Sequence, residues 1–212
     1  MAISAVIFDL DNTLYNEEDY FIEVFLRCKE TREFIDEIRI LFRDGLRLKS
    51  RDIFGDVLRH LNKYTPEAQN ILFELYKTTD ANIMLDHDAV AAIMKVKSHG
   101  LLVGVLTNGV VAAQKNKVRC LALQNKVDQI IYAREHGQEK PAAESFLYIA
   151  CCLGLDPEEC VVIGDHPVND VQGAGNAGMK AIQILKYAAH TSYDSSVESA
   201  QTLIDAVNKV II

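Results

Sequence analysis

The sequence has little cysteine chemistry to offer. Five cysteines stand at Cys28, Cys120, Cys151, Cys152 and Cys160. The number is odd and no CxxC pair occurs, so free, mostly buried thiols in a reducing cytoplasm are expected, not a disulfide or zinc framework. His60, His87, His99, His136, His166 and His190 make no HxxxH pair, which also argues against zinc. No Pro/Gly/Ser-rich stretch marks a linker, and there is no internal repeat or low-complexity tract. No apolar run is long enough to cross a bilayer. The short run from Ala2 to Phe8 lacks a basic leader and meets Asp9 and Asp11 at once, unlike a signal peptide. Positive charge is in deficit, with 22 Lys and Arg against 30 Asp and Glu. The net charge of -8 argues against a nucleic-acid backbone or an anionic membrane as the main partner.

What is present suits a globular chain: 212 residues, 49% hydrophobic and 25% charged, enough for one sizeable core and a smaller second unit. Short apolar runs at Ala5–Phe8, Leu101–Leu106, Gln129–Tyr132, Val161–Ile163 and Ala181–Leu185 read as buried parallel strands. Helical patterns alternate with them: Ala89–His99, with Gly100 just past its end, then Ala112–Leu123. A third begins with Pro141 as its first helical position and stops before Gly154; Val168–Ala177 and Val197–Val210 follow. This alternation predicts an α/β fold, a Rossmann-like doubly wound parallel sheet.

The interval between the first two strands breaks the rhythm. A βα unit takes about 30 residues, and the stretch from Leu14 to Leu101 is far longer. Tyr20–Phe42 reads as one long amphipathic helix, with Ile53–Leu61 and Pro66–Tyr76 as two more. The chain is therefore expected to divide into a core of residues 1–15 and 86–212 and an inserted all-helical cap domain of residues 16–85, the alternative being a few extra helices within one core.

Polar residues collect just after the apolar strands, where open α/β sheets bind ligands. Asp9 and Asp11, two apart on extended chain, point to one side. Burial and mutual repulsion oppose ionising both, and a divalent cation would relieve one and leave the other to carry a proton. Thr107-Asn108-Gly109 supplies a hydroxyl, an amide and a permissive backbone for a phosphoryl oxygen, or else a helix cap. Lys140, placed by Pro141 at a helix N-terminus where a cation is disfavoured, suggests an anion nearby, or else, taken alone, is a solvated surface lysine. Gly164-Asp165 through Asp170 adds two carboxylates, Asp165 suited to ligate Mg2+ directly and Asp170 to orient its surroundings, or to cap the following helix. His166 is read as a local hydrogen-bonding residue, not a catalytic one.

These residues, in this order, resemble the haloacid dehalogenase-like hydrolase superfamily over essentially the whole length. The carriers are Asp9-Leu10-Asp11-Asn12-Thr13, Thr107-Asn108-Gly109, Lys140-Pro141 and Gly164-Asp165 through Asp170. Gln114, Lys117 and Gly173–Gly178 look like its small-molecule phosphatase subgroup. The resemblance implies that Asp9 attacks phosphorus and ligates magnesium. It implies that Asp11 is the general acid/base and ligates the metal through its carbonyl. It gives Thr107 and Lys140 the phosphoryl group to hold, Asp165 the remaining metal position, and Asp170 a supporting role. Asn12 stands where glycine is common, and His166 where Ser or Thr is frequent. The implied activity is hydrolysis of a small phosphate monoester, a nucleoside monophosphate or sugar phosphate, with the Asp-Asn-Thr-Leu-Tyr wording leaning toward nucleotidase-like members. A phosphomutase of the same family is the alternative within enzymes, and a non-catalytic phospho-acceptor or binding module the one outside them. Tyr15, Asn16, Tyr20 and Phe21 are placed either in the cleft or in packing at the cap hinge.

Overall fold

The computed structural model describes residues 2–187 and 197–211. Within them, six parallel strands form one sheet in the order β3-β2-β1-β4-β5-β6. The strands are β1 (Ala5–Phe8), β2 (Leu102–Thr107), β3 (Gln129–Tyr132), β4 (Cys160–Gly164), β5 (Lys180–Ile184) and the two-residue β6 (Ser199–Ala200). β1 is central and wholly buried, and its side chains alternate between the two faces. Val6 and Phe8 join one apolar cluster, with Val103, Val105, Val161 and Ile163. Ala5 and Ile7 join the other, with Phe146 and Ile149.

Six α-helices lie between β1 and β2, and the first five are α1 (Glu17–Arg27), α2 (Ile35–Arg43), α3 (Leu46–Lys49), α4 (Ile53–His60) and α5 (Pro66–Thr78). The expected single helix over Tyr20–Phe42 is thus two. α1 ends at Cys28 in extended conformation, and the buried Thr31 hydroxyl donates to the Phe25 carbonyl at 2.6 Å, which also accepts the Cys28 N–H at 3.3 Å. Both halves keep helical spacing because both face one core, so the periodicity hides the break. The break lets Phe21 stack on Tyr76 (5.4 Å) and meet Phe42 (5.7 Å), while Phe25 meets Phe54 at 5.8 Å. Tyr20 and Phe21 are therefore packing residues among these helices. The same apolar cluster runs on from Phe8 through Phe25 and Leu72, joining the helices to the sheet.

The remaining helices are α6 (His87–Ser98), α7 (Val111–Cys120), α8 (Ala143–Leu153), α9 (Gly173–Asn176) and α10 (Leu203–Val210). Two expectations need correction here. The expected helix over Val197–Val210 opens instead with β6, and the helix starts after Thr202, whose hydroxyl caps it. The stretch Pro167–Gln172 is a π-helix before the short α9. No described helix is long and apolar enough to cross a membrane. His190 lies outside the described residues.

Candidate active site

The carboxyl ends of β1, β2 and β4 and the loop after β3 meet at one cavity of about 260 Å3. Asp9, Asp11, Thr107, Asn108, Gly109, Lys140, Asp165 and Asp170 all line it. Every site residue singled out from the sequence is therefore brought together.

β1 fixes the first of them. Its ladder runs one bond past Phe8, with the Asp9 N–H donating to the Ile163 carbonyl at 2.9 Å. The chain then turns sharply. Asn12 sits at φ 58°, in the left-handed region that glycine and asparagine tolerate, which accounts for the asparagine. Its Oδ1 accepts from the Glu17 N–H at 3.1 Å, tying the turn to the start of α1. This turn presents Asp11 to α7. Lys117 Nζ reaches the two Asp11 carboxylate oxygens at 2.9 and 3.0 Å. Gln114 Nε2 donates to Oδ2 at 2.7 Å, and the Tyr15 hydroxyl to Oδ1 at 2.6 Å.

Thr107 is the last residue of β2, and its hydroxyl oxygen accepts from Gln114 at 2.6 Å. Asn108 clamps the neighbouring loop: its amide donates to the Lys140 carbonyl at 2.8 Å and accepts the Lys140 N–H at 2.9 Å. The Gly109 N–H donates to Glu139 Oε1 at 3.1 Å, so a phosphoryl oxygen there would replace a carboxylate. Lys140 precedes a cis peptide to Pro141. The following helix begins at Ala143, so Pro141 is not its first residue and Lys140 stands before it rather than on it. The expected anions are nonetheless present. Lys140 Nζ lies 2.5 Å from Asp9 Oδ1 and 2.6 Å from Asp170 Oδ1.

After β4 the chain passes Gly164, where a Cβ would fall 2.5 Å from Asp170 Cγ; the absence of a side chain is what admits Asp170. Asp170 Oδ2 accepts the His166 N–H at 2.9 Å, so both of its oxygens are engaged. Asp170 does not cap the following helix. His166 does so, its Nδ1 accepting from Val168 and Asn169 N–H at 3.2 and 3.1 Å.

The electrostatics follow from burial. Desolvation pushes the Asp9 carboxyl up to about 7, the adjacent Lys140 working against it and Asp170 and Asp11 with it. Asp165 is pushed up to about 9, by burial first and then by the charges of Asp9 and Asp170. For Lys140, burial works to lower its pKa, but Asp170 and Asp9 prevail and raise it. One ammonium thus faces three carboxylates. Asp9, Asp165 and Asp170 each offer an oxygen within 4.8 Å of the others. An all-oxygen, over-charged donor set fits a hard divalent cation. Asp11 has turned its carboxylate to α7, which leaves its backbone carbonyl as the group it could offer a metal.

Sequence reasoning passed over Glu17, Arg47 and Tyr76, which line the same cavity from the inserted helices. Glu17 lies between Lys117 (3.1 Å) and Arg47 (2.9 Å). Burial works to raise its pKa, and those two cations overcome it and hold it at about 2. In the sequence Glu17 opens the run Glu17-Glu18-Asp19, which looks like any acidic first helical turn.

Residues 6–184 match the profile described as haloacid dehalogenase-like hydrolase. A glyceraldehyde 3-phosphate phosphatase of Methanocaldococcus jannaschii is 28% identical over 98% of this chain and 98% of its own. The N-acylneuraminate-9-phosphatase of Mus musculus is 30% identical over 92% of this chain and 87% of its own. Among solved structures, the HAD-hydrolase YfnB of Bacillus subtilis, bound to magnesium, superposes with a TM-score of 0.76 at 16% identity, each chain covered in full; at that identity the likeness is one of fold.

Proposed function

The chain belongs to the haloacid dehalogenase-like hydrolase family, and from that premise we propose that it is a magnesium-dependent phosphatase acting through an aspartyl-phosphate on Asp9. The observation that carries this reading is the pair of carboxylates with different partners in one cavity. Asp9 is held by Lys140 at the strand end, and Asp11, two residues on, is held by α7. Carboxylates set in unlike surroundings suit unlike roles.

Asp9, Asp165 and the Asp11 carbonyl would hold the metal, with Asp170 steadying Lys140 beside it. Magnesium, when bound, screens the anionic nucleophile from the anionic ester and neutralises charge on the phosphoryl oxygens. Phosphoryl transfer asks mostly for positioning and charge neutralisation. The Thr107 hydroxyl, the Lys140 ammonium and the N–H groups around Asn108 and Gly109 hold the non-bridging oxygens. An Asp9 oxygen bonds to phosphorus as the ester P–O bond breaks, and Asp11 gives its proton to the departing oxygen, releasing the alcohol. Asp11, now ionised, takes a proton from water. The water oxygen bonds to phosphorus and the Asp9–phosphate bond breaks, restoring both carboxyls and releasing phosphate.

The substrate is a small soluble ester, a size the 260 Å3 cavity supports. Residues 16–85 act as a cap, a reading supported by Glu17, Arg47 and Tyr76 facing the same cavity as Asp9. We favour a sugar or polyol phosphate over a nucleotide, because the relatives act on glyceraldehyde 3-phosphate and N-acylneuraminate 9-phosphate. These relatives also favour hydrolysis over the mutase and phospho-acceptor readings. The five unpaired cysteines support a reducing cytoplasm. The test is phosphate release from a panel of phosphomonoesters, with and without magnesium. Release that needs both the metal and Asp9 is expected, and a folded, metal-competent protein that releases no phosphate from any ester would sink the reading.

A further inference from the structure

We propose that Lys117 is the positioning residue of Asp11, and that Glu17, Tyr20 and Tyr76 on the inserted helices set where Lys117 stands. The inference rests on the reading of Asp11 as general acid/base.

Lys117 is 0% exposed, a place lysine almost never takes unless paired. Its ammonium is enclosed on every side that matters. It donates to both oxygens of Asp11 and to Glu17 Oε1 at 3.1 Å. It also lies 5.3 and 5.2 Å from the ring centroids of Tyr20 and Tyr76, within cation–π range. These partners fall into two groups. Asp11 follows β1 of the sheet. Glu17 and Tyr20 are on α1 and Tyr76 is on α5, within the insertion. A single buried charge therefore joins the two.

The geometry on the Asp11 side is directional. Lys117 and Gln114 are three residues apart on α7 and so share a face, and both donate to the Asp11 carboxylate. With the Tyr15 hydroxyl as a third donor, the plane of the carboxylate is fixed, not merely its position. A proton donor must meet the leaving oxygen at hydrogen-bond distance and in line, so a carboxylate free to rotate would protonate it poorly. On the other side, Glu17 and the two rings keep the ammonium from following solvent or swinging along α7. If the inserted helices shift, three of the four groups around Lys117 shift with them.

Leaving-group dependence reads this arrangement in a way that loss of fold does not. Alkyl phosphates need their departing oxygen protonated, whereas p-nitrophenyl phosphate does not. Lys117→Met is expected to lower kcat for alkyl esters by about 10- to 100-fold, with KM moving less than about threefold and a smaller loss with p-nitrophenyl phosphate. Lys117→Arg, which keeps the charge, is expected to recover part of the difference. Glu17→Gln, which leaves the Lys117–Asp11 contact in place, is expected to show the same steepening in weaker form, and it serves if Lys117→Met does not fold. A uniform loss across all esters in the folded variants would overturn the proposal. Asp11→Asn is measured beside them. If Asp11→Asn keeps the wild-type leaving-group dependence, the acid/base reading itself is wrong. If Asp11→Asn steepens the dependence and the Lys117 and Glu17 variants do not, only the positioning role is lost.

Discussion

Replacing Glu17 by Gln should cost stability in a pH-dependent way. Its side chain is 4% exposed and sits between Lys117 and Arg47. Burial alone would raise its pKa, but the two cations lower it from the ordinary 4.5 to about 2. A carboxyl depressed on folding adds stability that is fully present above 4.5 and is lost as pH falls toward 2. A displacement of that size is worth about 3 kcal/mol at neutral pH. Urea unfolding of wild type and Glu17→Gln, at steps between about pH 7 and pH 3, measures the difference directly. The difference should be about 3 kcal/mol at pH 7 and fall to about half by pH 3. Common effects of acid on other carboxylates cancel in it. A difference that stays constant over that range would refute the ionic account and leave only the shape of the side chain. Glu18→Gln, one residue on and more exposed, is the control that should show no such pH-dependent loss.

Asp9→Asn should abolish phosphate release, by about 10^3-fold or more, with a melting temperature no lower than wild type, read by steady-state assay and thermal scan. Lys140→Met should unfold more easily by about 3–5 kcal/mol, because it leaves Asp9 and Asp170 buried without their shared cation; denaturant titration in magnesium-free buffer checks this. Gly164→Ala should lose activity although no functional group is removed. Its Cβ would stand 2.5 Å from Asp170 Cγ, and moving Asp170 moves Lys140. A cost of about 1–3 kcal/mol is expected, together with a fall in kcat, and unchanged kinetics would show that the loop absorbs the methyl group.

Much of this was legible in the sequence. Four apolar runs with polar residues at their ends located β1, β2, β3 and β4, and a parallel sheet with its ligand side followed from the alternation with helices. Asp9, Thr107 and Asp165 were legible because each stands at a strand end, which the periodicity marks, and Lys140, farther along the loop after β3, because Pro141 follows it. What failed to show was set by tertiary contact. The break at Cys28 was hidden because the residues on either side, Phe25 and Ile38, face one apolar cluster. The π-helix at Pro167 and the strand at Ser199 are short elements made by neighbours, not by local pattern. Glu17 and Arg47 gave no signal, since a buried acid and a surface acid are written with the same letter. Only the fold decides that Glu17 lies under Arg47 and against Lys117.

The two parts of the site share one design with different suppliers. Asp9 is paired with Lys140, and Lys140 with a second carboxylate, Asp170. Asp11 is paired with Lys117, and Lys117 with a second carboxylate, Glu17. In the first triad all three residues follow strands of the sheet, so the charge partners of Asp9 are complete without the insertion. In the second, the outer carboxylate belongs to α1. Charge balance around Asp11 therefore depends on where the inserted helices rest, while charge balance around Asp9 does not. Under the proposed mechanism, a shift of those helices would disturb proton transfer before it disturbed attack on phosphorus. The asymmetry follows from which element carries the third residue.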